Sequence, residues 1–354
     1  MQDFDHHRDY MLQALTLSTQ GIGRVSPNPI VGCLVVHRGK IIAQGYHHGV
    51  GGVHAEVDAL AQIDKIPQDS ILYVTVEPCS VHSKTPPCTA RILKSGIKKV
   101  VVGMRDPNPA VNGNGISELE QKGVHVISGI LEDEIQYHNR GFTKWIREGL
   151  PWVIVKLAQS SDGYMSVDSQ KRTHLTGEEA QMFTHQLRSS CGGLLVGRKT
   201  ALLDDPGLTV RVIDGRNPIR FIADTFDTLP KSLKIFRDQQ AETIILSSDR
   251  YSEPHVTSYC RYLTVKEKNG RLSPTDMLKK IGKSGVTTLL IEGGAELISS
   301  FLSENLVDEL YSITAPDKLI KNGLASPFRK NHKWEHIQKQ KVGKDIINHY
   351  EKKV

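Results

Sequence analysis

His54-Ala55-Glu56, followed by Glu77-Pro78-Cys79 and then by Thr85-Pro86-Pro87-Cys88, is the stretch on which the reading of this chain turns. One imidazole and two thiolates form a borderline-soft donor set that suits Zn2+, and three protein donors leave a fourth position for water, as catalytic rather than structural sites do. Two thiolates already neutralise the charge of such an ion. It is then a weaker Lewis acid than one held by three imidazoles, and a neighbouring base is needed to take a proton from water and pass it to a ring and a leaving amine. Glu56, two residues after His54 and not needed as a ligand, is the candidate for that shuttle. His54 and Cys79 are expected at helix starts, where the positive end of the helix favours thiolate at Cys79 and Cys88. Two alternatives stand beside this reading: an ordinary helix face with core cysteines, and a structural zinc with His82 as the fourth ligand. A lone His or Cys would deserve the first; the combination does not.

Outward from this stretch, the pattern is α/β. Met11, Leu15 and Ser18 have helical spacing, so a helix is expected over 8–19. Apolar runs at 30–36 and 40–45 meet at Arg38-Gly39 and read as a hairpin. Helices at 54–63, 88–94 and 116–122 then alternate with strands at 71–76, 98–103 and 124–127. A Gly and a Pro flanked by charge at 147–151 suit a linker. Beyond it come strands at 152–158, 193–197, 219–224, 243–247, 287–291 and 309–314, and helices near 178–189, 274–283 and 295–304. Such alternation implies largely parallel sheets. Two α/β domains are expected, 1–148 and 151–354, each large enough for its own core.

Composition narrows the class. Hydrophobic residues at 38% and charged residues at 24% suit soluble globular domains. The N-terminus carries acidic residues and no apolar segment, so no secretory signal is expected, and no run is long enough to span a bilayer. A cytoplasmic location follows as the expectation. The five cysteines are an odd, sparse set and a poor disulfide framework; Cys33, Cys191 and Cys260 lie in or beside apolar runs and read as buried residues. The net charge of +6 could favour phosphorylated substrates, but residues 330–353 supply many of the lysines and a solvated surface explains them as well. Charge alone implies neither nucleic acid nor membrane.

The pattern His54-x-Glu56 with Pro78-Cys79 and a later Cys resembles the zinc nucleoside and nucleobase deaminases, although their general signature is C-x-x-C and here the interval runs from Cys79 to Cys88. The run from Glu77 to Cys88, together with Pro27-Asn28-Pro29, Gly45-Tyr46-His47, Asp106-Pro107-Asn108-Pro109, Asp204-Asp205-Pro206 and Glu292-Gly293-Gly294, is similar to the bifunctional riboflavin-biosynthesis deaminase/reductase family, in the family's order and over nearly the whole chain. The resemblance implies a cytidine-deaminase-like three-layer domain followed by a dihydrofolate-reductase-like domain. It implies deamination of a diaminopyrimidine bearing a phosphoribosylamino group, then reduction of the ribosyl moiety to ribityl with NADPH, in a homo-oligomer.

Site residues carry over position by position. His54, Cys79 and Cys88 would hold Zn2+, and Glu56 would be catalytic. Asn28, His47, Lys84, Asp106 and Asn108 would contact the first substrate, the amide of Asn28 through ring or sugar and the flexible cation of Lys84 through phosphate. Each alone could be a turn residue. In the second half, Lys156, Arg188, Leu208, Arg211 and Glu292 would contact substrate, with both arginines suited to phosphate. Ala158, Thr200, Asp204, Thr225, Gly294, Ala295, Glu296 and Leu297 would border the cofactor. No dinucleotide fingerprint exists, since Gly113-Asn114-Gly115 is followed by Glu118 where a third glycine is required; phosphate would instead meet the small-residue turn and helix start after Glu292. Surface salt bridges are the alternative for the arginines. Two departures from the family are visible. Ser83 stands where a glycine is usual, and the segment 165–177 is shortened, so no contact is carried over there. Rival readings are a nucleic-acid-editing deaminase with an inactive appended domain, and a zinc-stabilised binding protein without turnover. Against the first, aromatics are only 6% and do not interleave with a basic stripe. Against the second stands Glu56 beside an open ligand position.

Overall fold

The boundary between two independently packed units falls at Glu148/Gly149, in the computed structural model, which describes residues 2–81, 86–109, 111–168, 173–250 and 260–353. The first unit runs α1 (Gln2–Ser18), β1 (Gly32–His37), β2 (Lys40–Tyr46), α2 (Ala55–Leu60), β3 (Ile71–Val76), α3 (Cys88–Ser95), β4 (Lys99–Met104), α4 (Asn114–Gln121), β5 (His125–Ser128), α5 (Glu132–His138) and α6 (Arg140–Glu148). Arg38 and Gly39 both have positive φ, as a tight two-residue hairpin turn requires. The sheet order is β2-β1-β3-β4-β5. It is mixed rather than parallel: the hairpin makes β1 antiparallel to β2 and to β3, and only β3, β4 and β5 run parallel.

Successive strand residues point to opposite faces, and both faces here are apolar. Cys33, Val35, Leu72, Val74, Val100 and Val102 pack against Ala59, Ile92 and Leu119 from α2, α3 and α4. Leu34, Val36, Tyr73 and Val101 pack against Met11 and Leu15 of α1 and Ile135 of α5. The unit is therefore a three-layer α/β/α sandwich.

The second unit runs β6 (Trp152–Ser160), β7 (Tyr164–Ser166), α7 (Glu178–Ser190), β8 (Gly193–Gly197), α8 (Arg198–Asp204), β9 (Ile219–Ala223), α9 (Lys234–Arg237), β10 (Thr243–Ser248), β11 (Cys260–Val265), β12 (Glu267–Lys268), β13 (Arg271–Leu272), α10 (Pro274–Lys283), β14 (Thr288–Glu292), α11 (Ala295–Ser303), β15 (Glu309–Ala315), β16 (Leu324–Ala325), β17 (Trp334–Val342) and β18 (Asp345–Lys352). Its nine-stranded sheet has the order β11-β10-β9-β8-β14-β6-β15-β18-β17. It is parallel from β11 through β15 and antiparallel only at β15-β18-β17. Helices α10 and α11 cover one face through Met277, Ile281, Ile298 and Phe301. Leu187, Ala201 and Ile235 from α7, α8 and α9 cover the other. The lysine-rich segment near the C-terminus is the edge hairpin of this sheet, and the residues of β17 between Trp334 and Val342 are exposed. Among the described residues, no helix is long and apolar enough to cross a membrane.

Candidate active sites

In the first unit, the turn from extended loop into α2 fixes His54. It is the N-cap of that helix, with extended backbone, and its carbonyl accepts the amide of Asp58. Its Nδ1 lies 3.2 Å from Cys88 Sγ and 3.6 Å from Cys79 Sγ. The three donor atoms lie within 4.8 Å of one another. One expectation is corrected: Cys79 does not start a helix. It sits in the loop after β3, and Cys88 is the residue that opens α3. The electropositive end of α3 nevertheless reaches Cys79, because the Cys88 amide donates to its sulfur at 3.4 Å.

The two thiols share a proton. The hydrogen bond from Cys88 draws Cys79 well below its ordinary value, with burial opposing and His54 assisting, and the same bond holds Cys88 well above its own. A thiolate, a second thiol and an imidazole converging on one point fit a Zn2+ that displaces that proton. His82, the possible fourth ligand, lies outside the described residues.

Glu56 is in the first turn of α2 and only 3% exposed. Burial raises its pKa to about 7, with the Cys79 charge adding and His54 opposing. Next to His54, Asn28 Nδ2 lies 3.0 Å from His47 Nε2, His47 Nδ1 lies 3.0 Å from Val53 O, and the His47 and His54 rings meet edge-on at 5.5 Å. Asp106 follows β4; burial raises its pKa to about 6, although its carboxylate accepts the Asn108 amide at 2.8 Å. Lys84 lies outside the described residues.

Sequence reasoning quoted Glu77 without giving it work. The structure gives it four backbone donors. Its buried carboxylate accepts the amides of Asp106, Gly113, Gly115 and Ile116 at 3.3, 2.9, 2.9 and 3.1 Å. It thereby ties the loop after β4 and the start of α4 to the strand end that carries Cys79. Gly115 is required there, since a Cβ would lie 2.0 Å from Pro78 O.

In the second unit, every residue assigned from sequence to substrate or cofactor lines one cavity of about 1070 Å³. That exceeds the roughly 300–1,000 Å³ typical of one small-ligand pocket. The cavity opens at the C-terminal ends of parallel strands, where β6 supplies Lys156 and Ala158 and β14 ends at Glu292. Gly293 and Gly294 follow with φ of +76° and +79°, and a Cβ on either would meet Thr200 within 3.5 Å. This small-residue turn into α11, facing α8, is a cradle open to a phosphate-bearing cofactor.

Arg188 and Glu292 are neither exposed nor separate. Nε and Nη2 of Arg188 donate to the two Glu292 oxygens at 2.6 and 2.9 Å, and Nη1 donates to Thr209 O at 3.0 Å. For Arg188, expected to meet substrate phosphate with a surface salt bridge as the alternative, the ion pair is a buried, bidentate one, and the fork faces protein acceptors rather than open solvent. Burial works to raise Glu292, but the Arg188 charge and hydrogen bonds outweigh it and hold its carboxyl below the usual glutamate range. Burial lowers Lys156, with Glu292 opposing. Arg211 is exposed at the cavity wall. His185 and residues 173–176 of the shortened segment also line the cavity. Sequence reasoning carried no contact over to the shortened segment and did not name His185, which no local motif marks. His185 is held down to about 4 by burial, then by Arg188 and Arg211.

These two sites define a deaminase of the zinc-binding cytidine type joined to a second α/β unit with a reductase-like cavity. Residues 5–104 match the cytidine and deoxycytidylate deaminase zinc-binding region, and residues 151–329 match the RibD C-terminal domain. The chain belongs to the RibD family of bifunctional riboflavin-biosynthesis deaminase/reductases. It is 36% identical to the riboflavin biosynthesis protein RibD of Aquifex aeolicus over 321 residues, covering 90% of this chain and 89% of that protein. The Escherichia coli RibD is 34% identical, with 88% of each chain covered. A crystal structure of the diaminohydroxyphosphoribosylaminopyrimidine deaminase/5-amino-6-(5-phosphoribosylamino)uracil reductase of Thermotoga maritima superposes with a TM-score of 0.88 at 31% identity, over 99% of both chains. RibD of Acinetobacter baumannii gives 0.89 at 30% identity, over 99% of this chain and 100% of that one.

Proposed function

We propose that residues 1–148 deaminate 2,5-diamino-6-(5-phosphoribosylamino)pyrimidin-4-one and that residues 151–354 reduce the ribosyl group of the product to ribityl. The observation that carries the first step is the convergence of His54, Cys79 and Cys88 beside buried Glu56. His54, Cys79 and Cys88 would hold the zinc, which would supply Lewis acidity toward the attacking water. Glu56 accepts one proton from the attacking water and delivers it to the ring nitrogen, then takes the second proton from the hydroxyl added to the ring carbon and gives it to the departing amine, so that ammonia leaves as a carbonyl forms. Asn28 and His47 form a polar wall suited to ring or sugar, Asp106 and Asn108 border the same loop cluster, and Lys84 is assigned to phosphate.

For the second step, NADPH supplies the hydride, and the protein orients it. The turn Gly293-Gly294 with Ala295, Glu296 and Leu297, facing Thr200, is assigned to the cofactor, with Ala158, Asp204 and Thr225 completing its side of the cavity. Glu292, fixed by Arg188, and the half-buried Lys156 face the sugar, with Leu208 beside them. Exposed Arg211 takes the substrate phosphate. A cytoplasmic location, supported by the free state of all five cysteines, and a homo-oligomeric state complete the reading.

The test is the two-step conversion with purified full-length protein. Ammonia release should occur without any nicotinamide, and oxidation of NADPH should require the deaminated product and exceed that of NADH. Deamination at full rate after zinc is removed overturns the first half. Equal specificity constants for the two nicotinamides overturn the cofactor assignment.

A further inference from the structure

Strands β15 and β18 bring together a second set of ligand-type side chains, Glu309, His349 and Glu351, none of which lines the cavity of the second unit. Glu309 is directly opposite Glu351 in their antiparallel register, and Tyr311 is opposite His349. Alternation puts all four on one face. Like charges directly opposite on a sheet destabilise it, and Glu309 is fully buried. Two such carboxylates persist only where something positive lies between them.

His349 occupies that position. Its Nε2 lies 3.0 Å from Glu309 Oε1 and 3.6 Å from Glu351 Oε1. The residue is 8% exposed, and among the described residues this buried nitrogen makes no hydrogen bond. Donors at ~2.0–2.2 Å from a tetrahedral ion sit about 3.3–3.6 Å apart. The His54 set is spaced at 3.2 and 3.6 Å; the nearer pair here, at 3.0 Å, would have to open slightly around an ion. Outer contacts resemble those that orient metal ligands. Trp152 Nε1 donates to Glu309 Oε2 at 2.9 Å, Tyr311 OH donates to Glu309 Oε1 at 2.7 Å, and the Tyr311 and His349 rings stack at 4.5 Å.

We propose that Glu309, His349 and Glu351 form a second divalent-cation site, one nitrogen and two carboxylates, for a first-row metal such as Mn2+ or Zn2+, which fastens β18 to β15. The absence of sulfur separates it from the thiolate site, since oxygen-rich sets accept Mn2+ where thiolates select zinc. It is independent of the two reactions. The competing source of positive charge is a proton on His349, and it gives opposite results.

The experiment adds Mn2+, and separately Zn2+, to full-length protein already carrying its thiolate-held zinc, and follows bound metal by equilibrium dialysis and free Mn2+ by its magnetic resonance signal. One further cation per chain is expected, with a metal-dependent rise in Tm. Glu351→Gln should weaken binding roughly tenfold or more, a loss of the size reported for disturbed metal surroundings. His349→Gln should abolish it, while both variants keep the thiolate-held zinc. Failure of either metal to bind at millimolar concentration overturns the proposal, as does equal binding by wild type and Glu351→Gln. Should His349→Gln fail to fold, Glu351→Gln decides alone, because that side chain is 20% exposed and its loss leaves Glu309 and its partners in place.

Discussion

Glu56 and His54 share one helix start yet have different work, and single substitutions separate them. Glu56→Gln keeps the shape and removes the proton carrier. Deamination should fall by at least ~10²–10⁴-fold while zinc content is unchanged; near-normal ammonia release from this variant would remove the shuttle role. The Arg188–Glu292 pair offers a second test. Breaking a buried ion pair from one side costs about 3–5 kcal/mol, so Arg188→Ala should destabilise the second unit by that amount near neutrality. The sign with pH follows from Glu292. Its folded pKa is held below the usual glutamate value, so the pair's contribution is present above that usual value and is lost as pH falls through the folded one. In denaturant titrations, the gap between wild type and Arg188→Ala should narrow as pH drops from about 7 through about 4. A constant gap would show that the carboxylate is not what Arg188 stabilises. At this scale the sequence was readable wherever chemistry narrows the choice of residue. His54, Glu56, Cys79 and Cys88 could be picked out because few other side chains make that set. The bidentate engagement of Arg188 could not, because its partner is distant along the chain and guanidinium groups look alike until their acceptors are known.

Secondary structure was legible where periodicity met a boundary signal. The Arg38-Gly39 turn, the runs that became β3, β4 and β14, and the Ser273-Pro274 start of α10 all carried both. There the Ser273 hydroxyl accepts the Asp276 amide and Pro274 follows in the first turn. Helices α5 and α6 were missed because they are short and charged, and their packing rests on few residues, Ile135 and Phe142 among them. The hairpin β17–β18 was missed because β17 has no buried face to impose alternation. Glu77 is the element-scale lesson for the site. Nothing local suggests that one carboxylate collects amides from a loop and a helix start. Hydrogen bonds to a charged group contribute about 1.5–3 kcal/mol each. Glu77→Ala should therefore cost at least about 3 kcal/mol in the first unit, raise KM for deamination through the loosened loop, and leave zinc bound. Unchanged KM and thermal stability would show that the clamp has no such effect.

At the scale of the whole chain, every proposed zinc-site residue precedes Gly149 and every proposed hydride-site residue follows it. The half-reactions should therefore fail separately. Glu292→Ala or Asp204→Ala should stop reduction and spare ammonia release, while Glu56→Gln should still reduce pre-deaminated substrate. Joint loss in either variant would show coupling that the separate cores do not suggest. The large sheet of the second unit ends in β17, which among the described residues is paired on one side only, with β18. An unpaired strand edge is a template on which another chain can add, and lysines and bulges are the usual guards against it. Here Lys339 and Lys341 are exposed, and the pairing slips by a residue between His336 and Gln338. The lysine-rich tail that gives this protein much of its positive charge therefore has the features that, as a rule, keep the open rim of a sheet from recruiting a neighbour. Replacing Lys339 and Lys341 with threonine should leave both half-reactions intact while light scattering rises on warming a concentrated solution, and a variant as soluble as wild type would assign the guard to the bulge alone.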